Sequence, residues 1–164
     1  GVVMVGASTR GFSRAEFRWL MDPDHRLIAY GEIEWRQAGA SFEGSVTVAP
    51  GSQLVSFLAR VNPQRADEAT FLTRLNGVLA ARVDVNGWHR FDDGPRRATH
   101  LQAHENGSEA PEITTEIVDS FPSLDPGGRL DIDTQRKMCF LASGPYLNID
   151  LTGVDWTPPP TGGA

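Results

Sequence analysis

The chain contains the stretch Leu27-Ile28-Ala29-Tyr30-Gly31-Glu32-Ile33-Glu34-Trp35, in which the odd-numbered positions are apolar or glycine. Successive side chains of a β-strand point to opposite faces, so this alternation predicts a strand with one buried face. Leu27, Ala29, Ile33 and Trp35 would form that face. The alternation continues in Phe42–Val48, where Phe42, Val46 and Val48 fall on one side. The sequence therefore favours a β-sheet that covers a core.

Turn-forming residues flank these two strands, at Asp22-Pro23-Asp24 and at Ala49-Pro50-Gly51-Ser52. Proline, aspartate and glycine are typical of tight turns because they favour the backbone conformations that turns need. We therefore expect two antiparallel hairpins, which pair Phe17–Met21 with residues 27–35 and residues 42–48 with Leu54–Val61.

The segment Ala66–Val83 carries two conflicting patterns. Asp67 and Glu68 precede apolar residues at helical spacing (Phe71, Leu75, Val78, Leu79), which is typical of an amphipathic helix. Asn76-Gly77 and Asn86-Gly87 are instead strong hairpin turns, which would make the region a meander of strands. We expect a short helix over 66–75 and a strand over 78–85, which the second Asn-Gly joins to a strand that begins at Trp88.

The remaining pattern predicts further short elements. Ala98–Glu105 alternates and reads as a strand, Pro111–Phe121 reads as a short helix, and strands are expected over 130–133, 137–141 and 146–151. The fold class is then α+β, mainly antiparallel β (barrel or sandwich) with one or two short helices. We expect a single globular domain over residues 1–156 and a disordered Pro/Gly tail over 157–164.

Composition narrows the function classes. The chain has 164 residues, a net charge of −6 and no apolar run long enough to cross a bilayer. A net negative chain without a basic stripe lacks the electrostatic footprint of a duplex nucleic-acid binder. The single cysteine, Cys139, cannot form an internal disulfide and lies in an apolar run, so we expect an inert buried thiol and a cytoplasmic protein. We expect no membrane partner and no cofactor.

The segment Trp88–Glu105 concentrates three of the four histidines with three arginines and three carboxylates. Histidine changes charge near neutral pH, so such a cluster suits acid–base or anion-binding chemistry. His100 and His104 are the candidate acid–base pair, with Asp92 to orient them. Candidate ligand-binding residues in the same segment are Trp88, His89, Arg96, Arg97 and Gln102.

A metal site is not expected there. His100 and His104 lie four apart on a predicted strand, about 13 Å from each other. A single ion would have to lie about 2.1 Å from both ring nitrogens. Glu32 and Glu34 are further ligand-binding candidates, because residues two apart on a strand point to one side about 6.6 Å apart. They would face a ligand in a barrel with a polar lumen, or solvent on a half-buried sheet.

Three hypotheses for function follow. The first is a non-catalytic domain that binds a small-molecule ligand or a protein partner through the surface around Trp88–His104. The alternative is a small cofactor-independent enzyme (hydrolase or phosphoester-cleaving) that uses His100 or His104 as acid or base and Arg96 or Arg97 to stabilise an anion. The third is a structural or assembly protein, since an exposed edge strand would also support a homo-oligomer.

Overall fold

The computed structural model describes residues 11–49, 54–107 and 113–160. Its strands are β1 (Leu27–Ala38), β2 (Ser41–Ala49), β3 (Val55–Val61), β4 (Ala69–Leu75), β5 (Val78–Phe91), β6 (Gly94–His104), β7 (Ile113–Ile117) and β8 (Ile149–Asp155). The helices are α1 (Arg14–Leu20) and α2 (Ile132–Leu147), and a short 3₁₀ turn covers Pro23–His25.

All eight strands belong to one sheet, in the order β7-β6-β5-β4-β3-β2-β1-β8. Every neighbouring pair is antiparallel except β1 and β8, which are parallel. The prediction of an α+β fold with mainly antiparallel strands is therefore confirmed. The described strands form a single sheet whose two edges are β7 and β8, not two packed sheets.

The core lies between the sheet and α2. Because β7 and β8 are at opposite edges, the chain must cross the sheet between them, and α2 makes this crossing over what we call the inner face. Phe140 of α2 is fully buried there, with its ring 5.6 Å from Phe57 and 6.3 Å from Phe71. The opposite side of the sheet is the outer face.

The alternation that predicted the first strands is confirmed. Leu27, Ala29 and Ile33 of β1 are buried, and so are Phe42 and Val48 of β2. Both strands form because one face of each packs on the core while the other carries polar residues.

The expected strand at Phe17–Met21 is wrong, because α1 occupies this position. Ser13 and Glu16 cap the helix reciprocally: each side chain accepts a hydrogen bond from the other residue's backbone N–H, at 3.2 Å and 3.1 Å. This Ser-x-x-Glu arrangement is a helix-start signal that outweighs the turn signal after it.

The expected helix over 66–75 is also wrong, and the alternative meander describes the region better. β4 lies in the middle of the sheet, and Phe71, Leu72 and Thr73 are all buried. A strand that is buried on both faces loses its alternation, so apolar residues at helical spacing arise without a helix.

Asn86-Gly87 is not a turn. β5 runs through it to Phe91, and the dipeptide forms a bulge where the pairing with β6 shifts register between Asp84 and Gly87. Asn86 has the positive φ of 55° that its type favours. The hairpin turn comes later, at Asp92-Asp93, where Phe91 pairs with Gly94.

The C-terminal third differs most from the sequence prediction, although the strand predicted over Ala98–Glu105 is confirmed as β6. The predicted helix at 111–121 is wrong: Ile113–Ile117 form strand β7, residues 118–121 form a turn and irregular chain, and residues 111–112 lie outside the described part. The three strands predicted over 130–151 are replaced by α2, which begins after the cap Asp131, and by β8.

Part of the predicted disordered tail packs on the domain. The indole Nε1 of Trp35 donates to the Thr157 carbonyl at 2.9 Å, and Pro159 is buried. Residues 161–164 lie outside the described part of the chain. Of the helices that the structure describes, none is both long and apolar enough to cross a membrane.

Candidate functional site

The bulge makes the β5–β6 hairpin curl over the outer face. His89 pairs with Arg96 in the ladder, yet its ring lies 5.1 Å from that of His100 and its Nδ1 lies 3.1 Å from the amide nitrogen of Gln102. Arg96 and Gln102 are six positions apart, which is about 20 Å in a straight strand. The hairpin must therefore bend back, and Phe91 near its tip also reaches His100, with 5.5 Å between ring centroids.

Gly87 permits this bend. A β-carbon at this position would lie 2.9 Å from the Cβ of Asp84 and 3.2 Å from the Cε1 of His100. Both distances are tighter than ordinary van der Waals contact, so a residue without a side chain lets the hairpin approach the histidine ring.

A hydrogen-bonded set of polar residues lies beneath the hairpin, and we call it the Asp84 network. Asp84 is at its centre: its Oδ1 accepts from the Thr70 hydroxyl at 2.7 Å, and its Oδ2 lies 3.0 Å from Arg82 Nε and 3.2 Å from His100 Nε2. The network contains Thr70, Arg82, Asp84, His89, His100 and Gln102. It joins β4, β5 and β6 on the outer face.

The contacts of His100 favour its charged form. Its Nδ1 lies 2.8 Å from the Ala98 carbonyl, which only accepts, so Nδ1 carries a hydrogen. Its Nε2 faces the Asp84 carboxylate as an ion pair, although the angle falls short of a good hydrogen bond. Burial alone would lower the pKa of His100, but Asp84 and the Ala98 carbonyl outweigh it and raise that pKa above 6.5.

Asp84 shifts in the complementary direction. Burial tends to raise the pKa of its carboxyl, and the contacts with His100, Arg82 and Thr70 outweigh that effect and lower it below 3.8. The two shifts are in opposite directions, so the contacts favour the carboxylate form of Asp84 together with the imidazolium form of His100.

Gln102 connects the pair to the hairpin. Its Oε1 accepts from Arg82 Nε at 2.8 Å, which fixes the orientation of the amide. The amide nitrogen of Gln102 must then donate to His89 Nδ1. Because it accepts this hydrogen bond, His89 Nδ1 carries no hydrogen. Gln102 thus holds His89 in one tautomer and holds the hairpin against the sheet.

The structure brings some of the predicted site residues together and separates others. His89, His100 and Gln102 meet in the network, but Asp92 lies exposed at the hairpin turn, and Asp84 is the carboxylate at His100. His100 has 1% of its surface exposed and both ring nitrogens are occupied, so an acid–base role would first require the hairpin to open.

His104 lies further along β6, opposite Ile113 of β7. Its Nε2 is buried and has no hydrogen-bond partner among the described residues. Burial, and to a smaller extent the positive charge of Arg82, lower the pKa of His104 below 6.5. The lowered pKa favours the neutral form of His104, whereas the raised pKa of His100 favours its charged form.

The two candidate arginines have structural partners. Arg97 donates from Nε to the Asn86 carbonyl at 3.0 Å and from Nη2 to Asp67 at 2.8 Å, so it ties the bulge to the loop before β4. This hydrogen bond lowers the pKa of the Asp67 carboxyl. The guanidinium carbon of Arg96 lies 5.1 Å from the centroid of the Phe91 ring. The Nε of Arg96 forms an ion pair with Asp93 Oδ2 at 3.4 Å.

The other candidates lie apart from the network. Glu32 and Glu34 are exposed on β1, at the far side of the sheet from β6. Trp88 is 65% exposed and borders a shallow groove of about 300 Å³ beside Thr70 and Asp84. The described residues contain no group of three or more histidine, cysteine or acidic side chains placed to hold a metal ion. Cys139 is buried, and burial raises the pKa of its thiol to about 12.

A larger groove, of about 610 Å³, lies between the curled hairpin and β7, and we call it the hairpin groove. Phe91, Ile113 and Ile117 supply its apolar surface. Arg90 lines it without an ion-pair partner in the described part of the chain. The remaining lining residues are His89, Asp92, Asp93, Arg96, Thr115 and Glu116.

One edge of this groove is β7, which has no neighbour on its outer side among the described strands because it ends their sheet. The Val118 N–H donates to the Thr99 carbonyl of β6, and the backbone groups of alternate residues in a strand point to the same side. The N–H and C=O groups of Glu116 and Thr114 therefore face β6. Those of Ile113, Thr115 and Ile117 face outward.

Sequence reasoning missed Asp84 and β7. Asp84 stands between Val83 and Val85 in a strand, and a charge at such a position is a signal for a buried partner. The partner itself follows only from the register of β5 and β6. Neither protein-family models nor curated protein sequences nor solved structures give a match to this chain.

Proposed function

We propose that this protein is a non-catalytic peptide-binding domain that takes an extended segment of a partner protein along β7. The observation that carries the proposal is a strand edge that no described strand pairs with and that lies beside a groove. An added strand gains affinity from main-chain hydrogen bonds and specificity from pockets for every second side chain. The outward groups of Thr115 and Ile117 would supply the hydrogen bonds, and the hairpin groove would supply the pockets.

The chemistry of the groove indicates which side chains it would take. The outer-face residues of β7 are Ile113, Thr115 and Ile117, so the floor next to the added strand is mainly apolar. Arg90 offers a cation that forms no ion pair with a described carboxylate. A segment that alternates apolar residues and places an acidic residue near Arg90 fits these features best.

The other edge of the sheet is less suited to such binding. The Thr152 N–H on β8 donates to the Asp150 side chain at 2.9 Å, and the pairing of β8 with β1 shifts register between Ile28 and Tyr30. Charged and self-satisfied edges are a common protection against strand addition. β7 carries only Glu116 as a charged residue and no proline or bulge.

Thr115→Pro tests the proposal at the backbone. The substitution removes an outward N–H that β6 does not use, and proline is tolerated where a strand N–H faces solvent. Thr115→Val is the matched control, because it retains the N–H and the β-branched shape. Linear dodecapeptides would be selected from a random phage library on the wild-type protein, and their affinities measured by fluorescence polarisation.

We expect selected peptides to bind Thr115→Val within about twofold of wild type and Thr115→Pro at least about tenfold more weakly, since about 1.4 kcal/mol corresponds to tenfold. Hydrogen exchange at the amides of Thr115 and Ile117 should slow in the wild-type complex. The proposal is wrong if no peptide is enriched, or if the peptides bind Thr115→Pro equally well and protect amides elsewhere. Sedimentation of the free protein tests the related possibility that a second copy adds its own β7. A cytoplasmic location remains part of this proposal.

A further inference from the structure

The curled hairpin is joined to the Asp84 network by a hydrogen-bond chain that can run in only one direction. Arg82 Nε can only donate, and Gln102 Oε1 accepts from it at 2.8 Å. The amide nitrogen of Gln102 is then the donor to His89 Nδ1, at 3.1 Å. The chain therefore requires His89 Nδ1 to accept, which it can do only while that atom carries no proton.

A proton on His89 Nδ1 breaks this chain. The new N–H group faces the amide nitrogen of Gln102, so two donors oppose each other and neither has an acceptor. Rotation of the amide by half a turn does not restore the chain, because the amide nitrogen then faces Arg82 Nε, which is also a donor. Arginine stays protonated in proteins, so it fixes the direction of the chain at every pH.

The charges on the network side of His89 also oppose a positive charge on its ring. The ring centroid of His89 lies 5.1 Å from that of His100. The Asp84 carboxylate already contacts His100 at 3.2 Å and Arg82 at 3.0 Å. The ladder partner of His89 on β6 is Arg96, another cation. A charged His89 ring would therefore lie close to a second imidazole that Asp84 favours in its own charged form.

On its other side, His89 lines the hairpin groove and is half-buried, so a proton can reach it from solvent. The charged residues that line the groove with it belong to the hairpin and to β7: Arg90, Asp92, Asp93, Arg96 and Glu116. Asp93 is paired with Arg96, and none of these carboxylates forms an ion pair with His89 in the described part of the chain. The groove therefore offers His89 no carboxylate partner for a positive charge.

We propose that the curled hairpin is a proton-controlled latch, in which protonation of His89 releases the hairpin from the outer face and deprotonation closes it again. Phe91, two residues further along β5, also contacts His100, so both rings would leave the network together. The hairpin forms one wall of the hairpin groove, and its release widens the groove beside β7. The consequence for peptide affinity rests on the function proposed above, whereas the release itself does not.

Nuclear Overhauser effects between aromatic rings test the latch in the full chain. The effect between Phe91 and His100 reports the closed hairpin, and that between Phe57 and Phe140 on the inner face is the internal reference. Between pH 7.5 and pH 5.0, where histidine changes its charge, we expect the first to fall at least about fivefold relative to the second. Loss of the Asp84–His100 pair cannot cause this fall. At pH 5.0 both residues are charged, because the pKa of Asp84 is lowered below 3.8 and the pKa of His100 is raised above 6.5.

His89→Gln separates the latch from a general effect of acid. Glutamine retains an acceptor for the Gln102 amide but cannot gain a charge, so the ring contact at pH 5.0 should stay within about twofold of its value at pH 7.5. His104→Gln is the matched control, because His104 is another histidine of β6 but lies outside the hydrogen-bond chain. This variant should lose the contact in acid as wild type does.

The inference is overturned if the ring contact persists at pH 5.0 in the wild type, or if His89→Gln loses it to the same extent. It is also overturned if His104→Gln retains the contact in acid, because the proton would then act at His104. Peptides selected on the wild type should bind at least about fivefold more weakly at pH 5.0 than at pH 7.5, a loss of about 1 kcal/mol that His89→Gln should abolish.

The two proposals fail in different ways. Loss of the ring contact in acid, with no peptide enriched at any pH, would support the latch and refute peptide binding. Peptide binding at β7 together with a ring contact that withstands acid would refute the latch and support peptide binding. Peptide affinity that is unchanged after the contact is lost would refute the link between the hairpin and the groove.

Discussion

Asp84→Asn should destabilise the protein because it breaks the buried pair with His100. The substitution keeps an oxygen for the Thr70 hydroxyl but removes the negative charge that faces His100 Nε2 at 3.2 Å. The His100 side chain is 1% exposed and that of Asp84 is 13% exposed, so solvent cannot replace the lost contact.

The expected loss is about 3 kcal/mol near pH 6. Removal of one partner from a buried ion pair costs about 3–5 kcal/mol, and the retained oxygen places this case at the lower end. For a protein of this size, about 1 kcal/mol corresponds to roughly 2–4 °C in the unfolding midpoint, so Tm should fall by roughly 6–12 °C.

The pH dependence gives a sharper signature than the loss itself. The pKa of His100 is raised above 6.5 in the folded protein, so its contribution to stability is complete below pH 6.5 and is lost as pH rises through the folded value. The pKa of Asp84 is lowered below 3.8, so its contribution is present above pH 3.8 and is lost as pH falls through the folded value. The pair therefore stabilises most between these limits, and Asp84→Asn should remove the decline in stability above pH 6.5.

Urea unfolding of both proteins at pH 5.5, 6.5, 7.5 and 8.5 measures this difference, and NMR titration of the His100 ring follows the pKa. Asp93→Asn is the control, since the side chain of Asp93 is 65% exposed and its substitution should change stability by less than about 0.5 kcal/mol. The reasoning fails if His100 titrates at or below 6.5 in the wild type. It also fails if Asp84→Asn costs less than about 1 kcal/mol at pH 6.

Two further substitutions test the packing on each face of the sheet. Gly87→Ala should cost about 1–3 kcal/mol in urea unfolding, because its β-carbon would meet Asp84 and His100, and amide exchange in the hairpin should accelerate. A hairpin that exchanges at wild-type rates would contradict the close approach. Phe140→Ala should cost about 3–5 kcal/mol because the ring is fully buried, whereas Leu141→Ala, at a side chain that is 38% exposed, should cost less than about 1 kcal/mol. Equal losses at the two helix positions would refute the position of the core.

The parts of the fold that sequence reasoning predicted are those where burial is one-sided. β1 and β2 expose one face, so Leu27, Ala29 and Ile33 alternate with polar residues and the strands can be recognised locally. β4 is covered on both faces, and its run Phe71-Leu72-Thr73 carries no period. Local pattern therefore fails where a strand is covered on both faces.

The helix α2 was missed for a related reason. It contains Gly144 and Pro145 near its end, residues that normally indicate a turn, and its buried positions include polar side chains such as Gln135. Gln135 is satisfied by contacts with the preceding loop, where its amide nitrogen donates to the carbonyls of Asp125 and Leu130. These hydrogen bonds form only once the loop has packed against α2, so a polar residue can be buried in the helix. The helical spacing of apolar residues in the sequence therefore does not indicate this buried face.

The site shows how one local signal acquires its meaning from distant residues. Asn86-Gly87 has the backbone preference of a hairpin turn, and Asn86 does adopt the positive φ, but the chain continues as a bulged strand. The bulge persists because Arg97 holds the Asn86 carbonyl and Gly87 fits against His100. The bulge also reorients the hairpin, so that His89 and Phe91 lie beside His100. The hairpin groove lies between the reoriented hairpin and β7. The concentration of histidines in Trp88–Glu105 coincides with the Asp84 network and the hairpin groove, and the geometry of both depends on a bulge at a dipeptide that predicts a turn.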